Sequence, residues 1–307
     1  MPVVTPAVLT ALMTGYRREF QAAYDAAHED SFYRAVASVV PSATKSNTYG
    51  WLKDFPSLRE WIGARVVKDM AAGSYVIENK DWESTVGIKR TDIEDDNLGL
   101  YGPMIGFMGD AAARKPDELI AALMAAGEST LCFDGQNFFD TDHPVAPNED
   151  GTGTAVSVSN YDSGGGSPGD AWYLLDCSKP LKPFIYQNRK APEFVAKTDP
   201  RTSDNVFTNN TFEMGVDMRS NVGFGFWQMA YKSKSPLNKA NYEAARAALR
   251  GFTADGGRPL GIKPTHLVVP GTLEAAAKDV IKRMLIGGGD TNPNYDDVEV
   301  VVTSWLG

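Results

Sequence analysis

Asp134, Asp140, Asp142 and His143 fall within the single stretch CFDGQNFFDTDHPV. Three carboxylates and an imidazole so close together could hold a divalent cation. A metal-dependent hydrolase using Asp140, Asp142 and His143 is therefore one reading. It would need a further ligand, His28 or His266. The spacing matches neither HExxH nor the calcium loop of an EF-hand. A turn that follows a helix also gathers Asp and Gly because both accept turn geometry. The structural reading of this cluster is the stronger one. His28 falls on a helical pattern and His266 in an apolar strand, and each reads as a structural histidine. Neither Cys132 nor Cys177 has a nucleophile's sequence context. No catalytic residue, cofactor-binding residue or metal ligand is assigned, and no cofactor is expected.

The elements around the cluster are patterned more tightly than the cluster itself. Val8, Leu9, Leu12, Tyr16, Phe20 and Tyr24 recur at helical spacing over 6–28. A second short helical piece runs near Ser31–Val40 and stops at Pro41. Tyr75 and Ile77, then Trp82, Ser84, Val86 and Ile88, alternate with polar residues around a turn near Asn79–Asp81. That period of two predicts a hairpin over 74–90. From Leu100 to Gly127 the period turns helical, with Pro116 either kinking one helix or dividing two. Residues 147–170, rich in Gly and Ser, predict a mobile flap, not a phosphate cradle. Strands follow over 171–233, with NVFTNN read as part of one. Helices are then expected near 242–249 and 272–285, and strands over 265–269 and 298–307.

An isolated two-strand ribbon buries neither face and is marginal in water. Trp61, Trp82, Tyr75 and Ile77 therefore need a surface to pack on, and a neighbouring copy of the chain is the expected one. Lys80, Lys89 and Arg90 leave the ribbon basic, while Asp92, Glu94, Asp95 and Asp96 stand just before the long helix. Cross-subunit salt bridges between the two groups are expected, and Arg65 joins the contact set.

The bulk numbers narrow the function classes. The chain has 307 residues, 43% of them hydrophobic and 22% charged, as in an ordinary folded protein. A net charge of −9 does not support a nucleic-acid-binding groove. No apolar run is long enough to span a membrane, and the first residues do not form a signal peptide. The two cysteines read as free thiols.

The ordered series FPSLREWIGARVV, YVIENKDWESTVGIKRTDIEDD, YGPMIGFMGDAA, KPDELIAALM, DGQNFFDTDHP and GFGFWQMAY resembles the Mu-like prophage major head subunit family, from about residue 5 to the end. The resemblance implies a major capsid protein of a tailed phage with an α+β, Hong Kong 97-type fold. It implies an N-terminal arm at 1–45 and an extended loop at 46–96 that lies over an adjacent subunit. It implies a peripheral domain at 97–237, with a spine helix at 100–126 and the flap at 147–170, and an axial domain at 238–307. The expected assembly is a homo-oligomer of pentamers and hexamers closing an icosahedral virion shell in the host cytoplasm. Its expected partners are a separate scaffold and protease and a portal protein, with a decoration protein as an optional one and DNA packaged inside but not read. Pro116, Gly73 and Gly99 are candidate hinges. Lys80 or Lys89 could cross-link to an asparagine of another subunit, although no motif requires it. Another virion part, such as a decoration or tail-tube protein, is the remaining structural alternative.

Overall fold

A computed structural model describes residues 5–53, 75–94, 98–199, 201–286 and 289–307. The chain opens with α1 (Pro6–Glu29), a single turn α2 (Tyr33–Val36), and strands β1 (Ala37–Pro41) and β2 (Ser46–Thr48). Strands β3 (Val76–Glu78) and β4 (Lys80–Lys89) lead through α3 (Arg90–Glu94) into α4 (Leu98–Ala126). Then come β5 (His143–Val145), β6 (Val156–Val158), β7 (Tyr161–Asp162), β8 (Trp172–Leu175) and β9 (Phe184–Lys197). They are followed by α5 (Asp204–Asn209), β10 (Thr211–Phe224), β11 (Ala230–Ser233), α6 (Lys239–Arg250), β12 (His266–Pro270), α7 (Glu274–Ile281) and β13 (Glu299–Thr303).

Two sheets carry the fold. The first has the order β1-β9-β10-β4, with β9, β10 and β4 antiparallel and β1 parallel to β9. Helices α1 and α4 pack on it. Tyr16 and Phe20 of α1, Ile105 and Met108 of α4, and Ile88, Phe194, Phe212 and Met214 of the strands form one apolar core. The second sheet has the order β13-β12-β8-β11-β7 and packs with α6 and α7 into a larger core. Ile120 and Met124, near the end of α4, belong to that larger core. One helix thus stands in both cores, which couples them mechanically.

Helix α1 starts as its sequence dictates. The Thr5 hydroxyl accepts a bond from the Val8 N–H, and Pro6 occupies the first turn, where its missing N–H costs nothing. Helix α4 runs unbroken through Pro103 and Pro116, which settles the open alternative in favour of one helix. Asp117 is 2% exposed and accepts a bond from the Tyr33 N–H at 2.9 Å. The carboxylate after the proline therefore ties α4 to the start of α2 rather than opening a new helix.

The expected hairpin over 74–90 is corrected. β3 pairs with β2, and β4 pairs with β10 from Lys89↔Thr211 to Lys80↔Ser220, so the chain crosses from one sheet to another without reversing. The reason is Asn79. It is buried and donates to Ser42 and to the Thr44 carbonyl while accepting from Gln187 Nε2 at 2.9 Å. A residue typical of turns serves here as a buried polar anchor between two extended strands. The inference that Tyr75 and Ile77 must bury themselves on another copy is corrected with it. Ile77 is buried against Gly223, and the Tyr75 hydroxyl accepts from the Phe224 N–H at 2.7 Å.

Other expectations shift for local reasons. The helix expected near Ser31–Val40 is only the turn α2, because Val39 and Val40 pair as strand with Tyr186 and Gln187. NVFTNN is not strand but α5, capped by the Ser203 hydroxyl and ended by Asn210 at φ +50°. One long strand, β9, runs through Pro192, with the proline near the register shift opposite Asp217 and Arg219. The flap is tethered. Its β6 pairs with β5, its β7 pairs with β11, and Asn160 is fully buried, donating to the Phe138 carbonyl at 2.8 Å. The expected limit at 237/238 does not coincide with a break between sheets, since β8 and β11 lie beside β12 and β7 in the second sheet. Cys132 and Cys177 are free thiols. No helix among the described residues is long and apolar enough to cross a membrane.

Candidate functional site

Helix α4 stops at Gly127, where a side chain would meet the Phe139 ring at 2.5 Å. The chain then folds into the turn that carries the carboxylates and the imidazole. Asp134 is its centre. One oxygen accepts from the Cys132 thiol and the Gln136 N–H, both at 3.0 Å, and the other lies 2.7 Å from His143 Nδ1. The His143 ring is fully buried and stacks on Trp227 at 4.0 Å with only 10° between planes. Burial pushes the Asp134 carboxyl up, but hydrogen bonds from His143 and Cys132 outweigh it and hold the group below its usual range. Burial, with Asp134 beside it, raises the Cys132 thiol far above the ordinary value, so it stays protonated and donates.

The four-residue constellation of the sequence thus divides. Asp134 and His143 come together, and Cys132 joins them, with all three donor atoms within 4.8 Å of one another. Cys132 escaped sequence reasoning, although its spacing of two from Asp134 is the short-turn signal that could have found it. Asp140 and Asp142 stand apart. The Asp140 carboxylate accepts from the Thr141 and Asn137 N–H groups, shaping the turn. Asp142 is solvent-exposed, and its hydrogen bond with Asp140 raises its carboxyl. His28 stacks on Tyr24 and touches Arg34, while His266 meets Thr265 and Glu299. Neither joins the cluster. His143 offers a substrate no surface, and its Nδ1, the Asp134 carboxylate and the Cys132 thiol are engaged with one another. The hydrolase reading fails on this geometry: the residues form a hydrogen-bonded lock under Trp227.

A second polar centre lies beside it and was not foreseen. Glu128 receives Lys232 at 2.6 Å, Lys234 at 2.8 Å and the Tyr161 hydroxyl at 2.9 Å. Lys232 is 2% exposed, between the Phe139 and Tyr173 rings. Burial pushes the Glu128 carboxyl up, but the two ammonium groups and the phenol overcome this and draw it down to about 2. The hub pins the end of α4 to β7 and β11.

The expected inter-subunit contact residues take several places. Tyr75 and Ile77 are packed inside the chain. Trp82 is half-buried, donates from its indole N–H to the Ser220 carbonyl at 3.1 Å and lies 4.2 Å from the Lys115 ammonium. Lys80 and Lys89 are exposed at the two ends of β4, and the Arg90 N–H donates to the Asn210 carbonyl. Glu94 ends α3. Trp61, Arg65, Asp95 and Asp96 lie outside the described residues. Among the described residues, the large apolar groups left to solvent include Phe107 on α4 at 75% exposure, Phe207 on α5 at 79%, and Met284 and Leu285 beyond α7 at 58% and 52%, with Val76 of β3 at 49% inside the expected contact segment. Exposed apolar groups of this size mark surfaces that meet other molecules when they gather into patches.

The whole chain has known relatives. It matches the family described as Mu-like prophage major head subunit gpT over residues 9–306. It is 48% identical over 307 residues to the major capsid protein of Escherichia phage Mu, covering 99% of this chain and 100% of that one. The subunit in the procapsid of bacteriophage JBD30 superposes with a TM-score of 0.86 at 55% identity, covering 99% of this chain and 100% of that one. The subunit in the JBD30 capsid decorated with minor capsid protein trimers gives 0.74 at 41% identity, covering 90% and 91%. The mixed helices and sheets are the α+β architecture of a Hong Kong 97-type head subunit, and the chain belongs to the Mu-like prophage major head subunit gpT family.

Proposed function

We propose that this chain is the major shell subunit of a Mu-like phage or prophage head. Copies close into pentamers and hexamers of an icosahedral virion shell around double-stranded DNA, assembled in the host cytoplasm. The observation that carries the reading is full-length similarity to head proteins in both sequence and shape. The physics agrees with it. Each subunit completes its own two cores and still presents large apolar side chains to water. Head-to-tail contacts close rings, and many weak contacts acting together make a shell outlast any one of them. A net charge of −9 leaves no strong grip on the genome, which suits packing and release.

The finer assignments belong to the same proposal. Residues 1–45 serve as the arm, 46–96 as the loop that reaches over a neighbour, 97–237 as the peripheral domain and 238–307 as the axial domain, with β8 and β11 lending their strands to the axial sheet. Lys80, Lys89, Arg90, Trp61, Arg65, Glu94, Asp95 and Asp96 are the proposed contacts of that loop. A separate scaffold and protease and a portal protein act with the subunit. A decoration protein is proposed by analogy with the trimers on the JBD30 capsid. Negative-stain microscopy of the expressed full chain, with and without a scaffold, tests the reading. Capsomer rings or polyhedral shells are expected, and dispersed single subunits under both conditions would overturn it.

A further inference from the structure

The joint between α1 and α2 is held by an acidic group from another helix. Asp117 of α4 is buried, and one of its oxygens accepts the Tyr33 N–H at 2.9 Å. The Phe32 N–H also donates to it. Both donors are neutral. The cation that bears on this carboxyl is Arg114, one turn earlier on α4, and its guanidinium is already engaged by Asp110 at 3.0 Å. On the facing side, Asp30 at the end of α1 adds a second negative charge. Tyr33 adds a phenol that burial keeps protonated. A carboxyl shut away from water, with its nearest cation committed to another anion, ionises reluctantly.

The joint also has room to move. A cavity of about 250 Å³ lies against it, with Tyr24, His28, Tyr33, Arg34 and Pro116 in its wall. The Ser31 hydroxyl donates to the Ala27 carbonyl at 3.1 Å, so the last turn of α1 is closed from within its own segment. We propose that Asp117 is a proton-operated latch on this joint: protonated, it holds the end of α1 against α4, and ionised, it lets α1 swing away while the second sheet stays folded. The closed joint keeps a proton that the open one releases. Closure is therefore strongest in acid and weakens as pH rises toward and through about 6. His28 acts with the opposite sign, because burial and Arg34 lower it and so favour closure as pH rises. The latch belongs to the single subunit and goes beyond the shell reading without depending on it.

Hydrogen exchange of the full chain, kept dilute at pH 5, 6 and 7, tests this in the parent and in Asp117→Asn. Asn keeps an acceptor for the Tyr33 N–H, so two folded chains are compared, and intrinsic exchange rates and His28 cancel between them. The ratio of the parent's opening constant to the variant's, read on the α1 amides, should rise about tenfold from pH 5 to pH 7, as for a carboxyl moved from 3.8 to about 6. The same ratio read on the β12 amides should stay level. A ratio on α1 that stays within about twofold overturns the latch. A tenfold rise shared by β12 assigns the titration to unfolding of the whole chain and overturns the local joint.

Discussion

A Cβ on Gly109 would overlap the carbonyl oxygen of Phe20, so α1 can lie on α4 only because residue 109 has no side chain. Two further glycines on the same helix are not so constrained. A Cβ on Gly102 would find the Glu19 carboxylate at 3.6 Å, and one on Gly106 would find Ala23 at 3.8 Å, both ordinary contacts. Gly109→Ala is predicted to force α1 away and cost about 1–3 kcal/mol, as overpacking does. Gly102→Ala and Gly106→Ala are predicted to be neutral or to stabilise by about 0.5–1 kcal/mol through helix propensity. Denaturant unfolding of the three variants checks the contrast, and equal losses in all three would refute the close-approach argument.

Glu128 answers two ammonium groups, one of them buried. Glu128→Gln is predicted to cost about 3–5 kcal/mol, because Lys232 is left charged under two aromatic rings without an anion. Lys232→Met, which removes the buried charge, should cost much less. Since the folded-state carboxyl is drawn down to about 2, its contribution is present above the ordinary carboxylate value of 4.5 and disappears as pH falls toward 2. Unfolding free energies measured from pH 5 down to pH 2 should show that loss in the parent and a flatter course in the Gln variant.

Asp117 acts with the opposite sign. Burial raises its carboxyl from 3.8 to about 6, against the hydrogen bond from Tyr33. The folded state therefore holds a proton that the unfolded chain has released, so the stability it provides is present below 3.8 and is lost as pH rises through about 6. Asp117→Asn keeps an acceptor for the Tyr33 N–H and should match or exceed the parent at pH 7, with the slope between pH 4 and 6 reduced. Asp117→Ala leaves that N–H unpaired and should cost about 1–3 kcal/mol. A parent whose stability climbs with pH across that window by more than the Asn variant's would contradict the assignment.

These anchors show where sequence reasoning reaches and where it stops. Helices α1 and α4 were legible because their apolar period is local, and residues three and four apart report it directly. The partners of β3 and β4 were not. Ile77 finds Gly223 and Trp82 finds Ser220, each more than a hundred residues on, and alternation says which face is apolar but not which strand covers it. Asn79 read as a turn because its partners Ser42 and Gln187 lie 37 and 108 residues away in sequence. Glu128 looked like an ordinary helix end, with nothing nearby in sequence to announce Lys232 and Lys234. Within the carboxylate cluster, the pair Asp134 and His143 was in view, but the Trp227 ring that stacks on His143 comes from a turn just before β11, far off in sequence.

That separation predicts a mutational split. His143→Ala removes the ring stacked on Trp227 and the partner of Asp134, and should cost about 2–4 kcal/mol in unfolding experiments. Asp142→Asn, at an exposed turn, should leave the unfolding midpoint unchanged and assemble normally. A metal-dependent hydrolytic activity abolished by both substitutions would instead revive the enzyme reading.

The central claim is that the folded subunit is a building block whose exposed apolar groups are covered by its own kind. Sedimentation velocity of the purified full chain over a wide concentration range, with scaffold added in a parallel series, measures this most directly. Discrete species of capsomer and shell size, growing with concentration or with scaffold, are the predicted result. A single monomeric boundary at every concentration in both series would contradict the account.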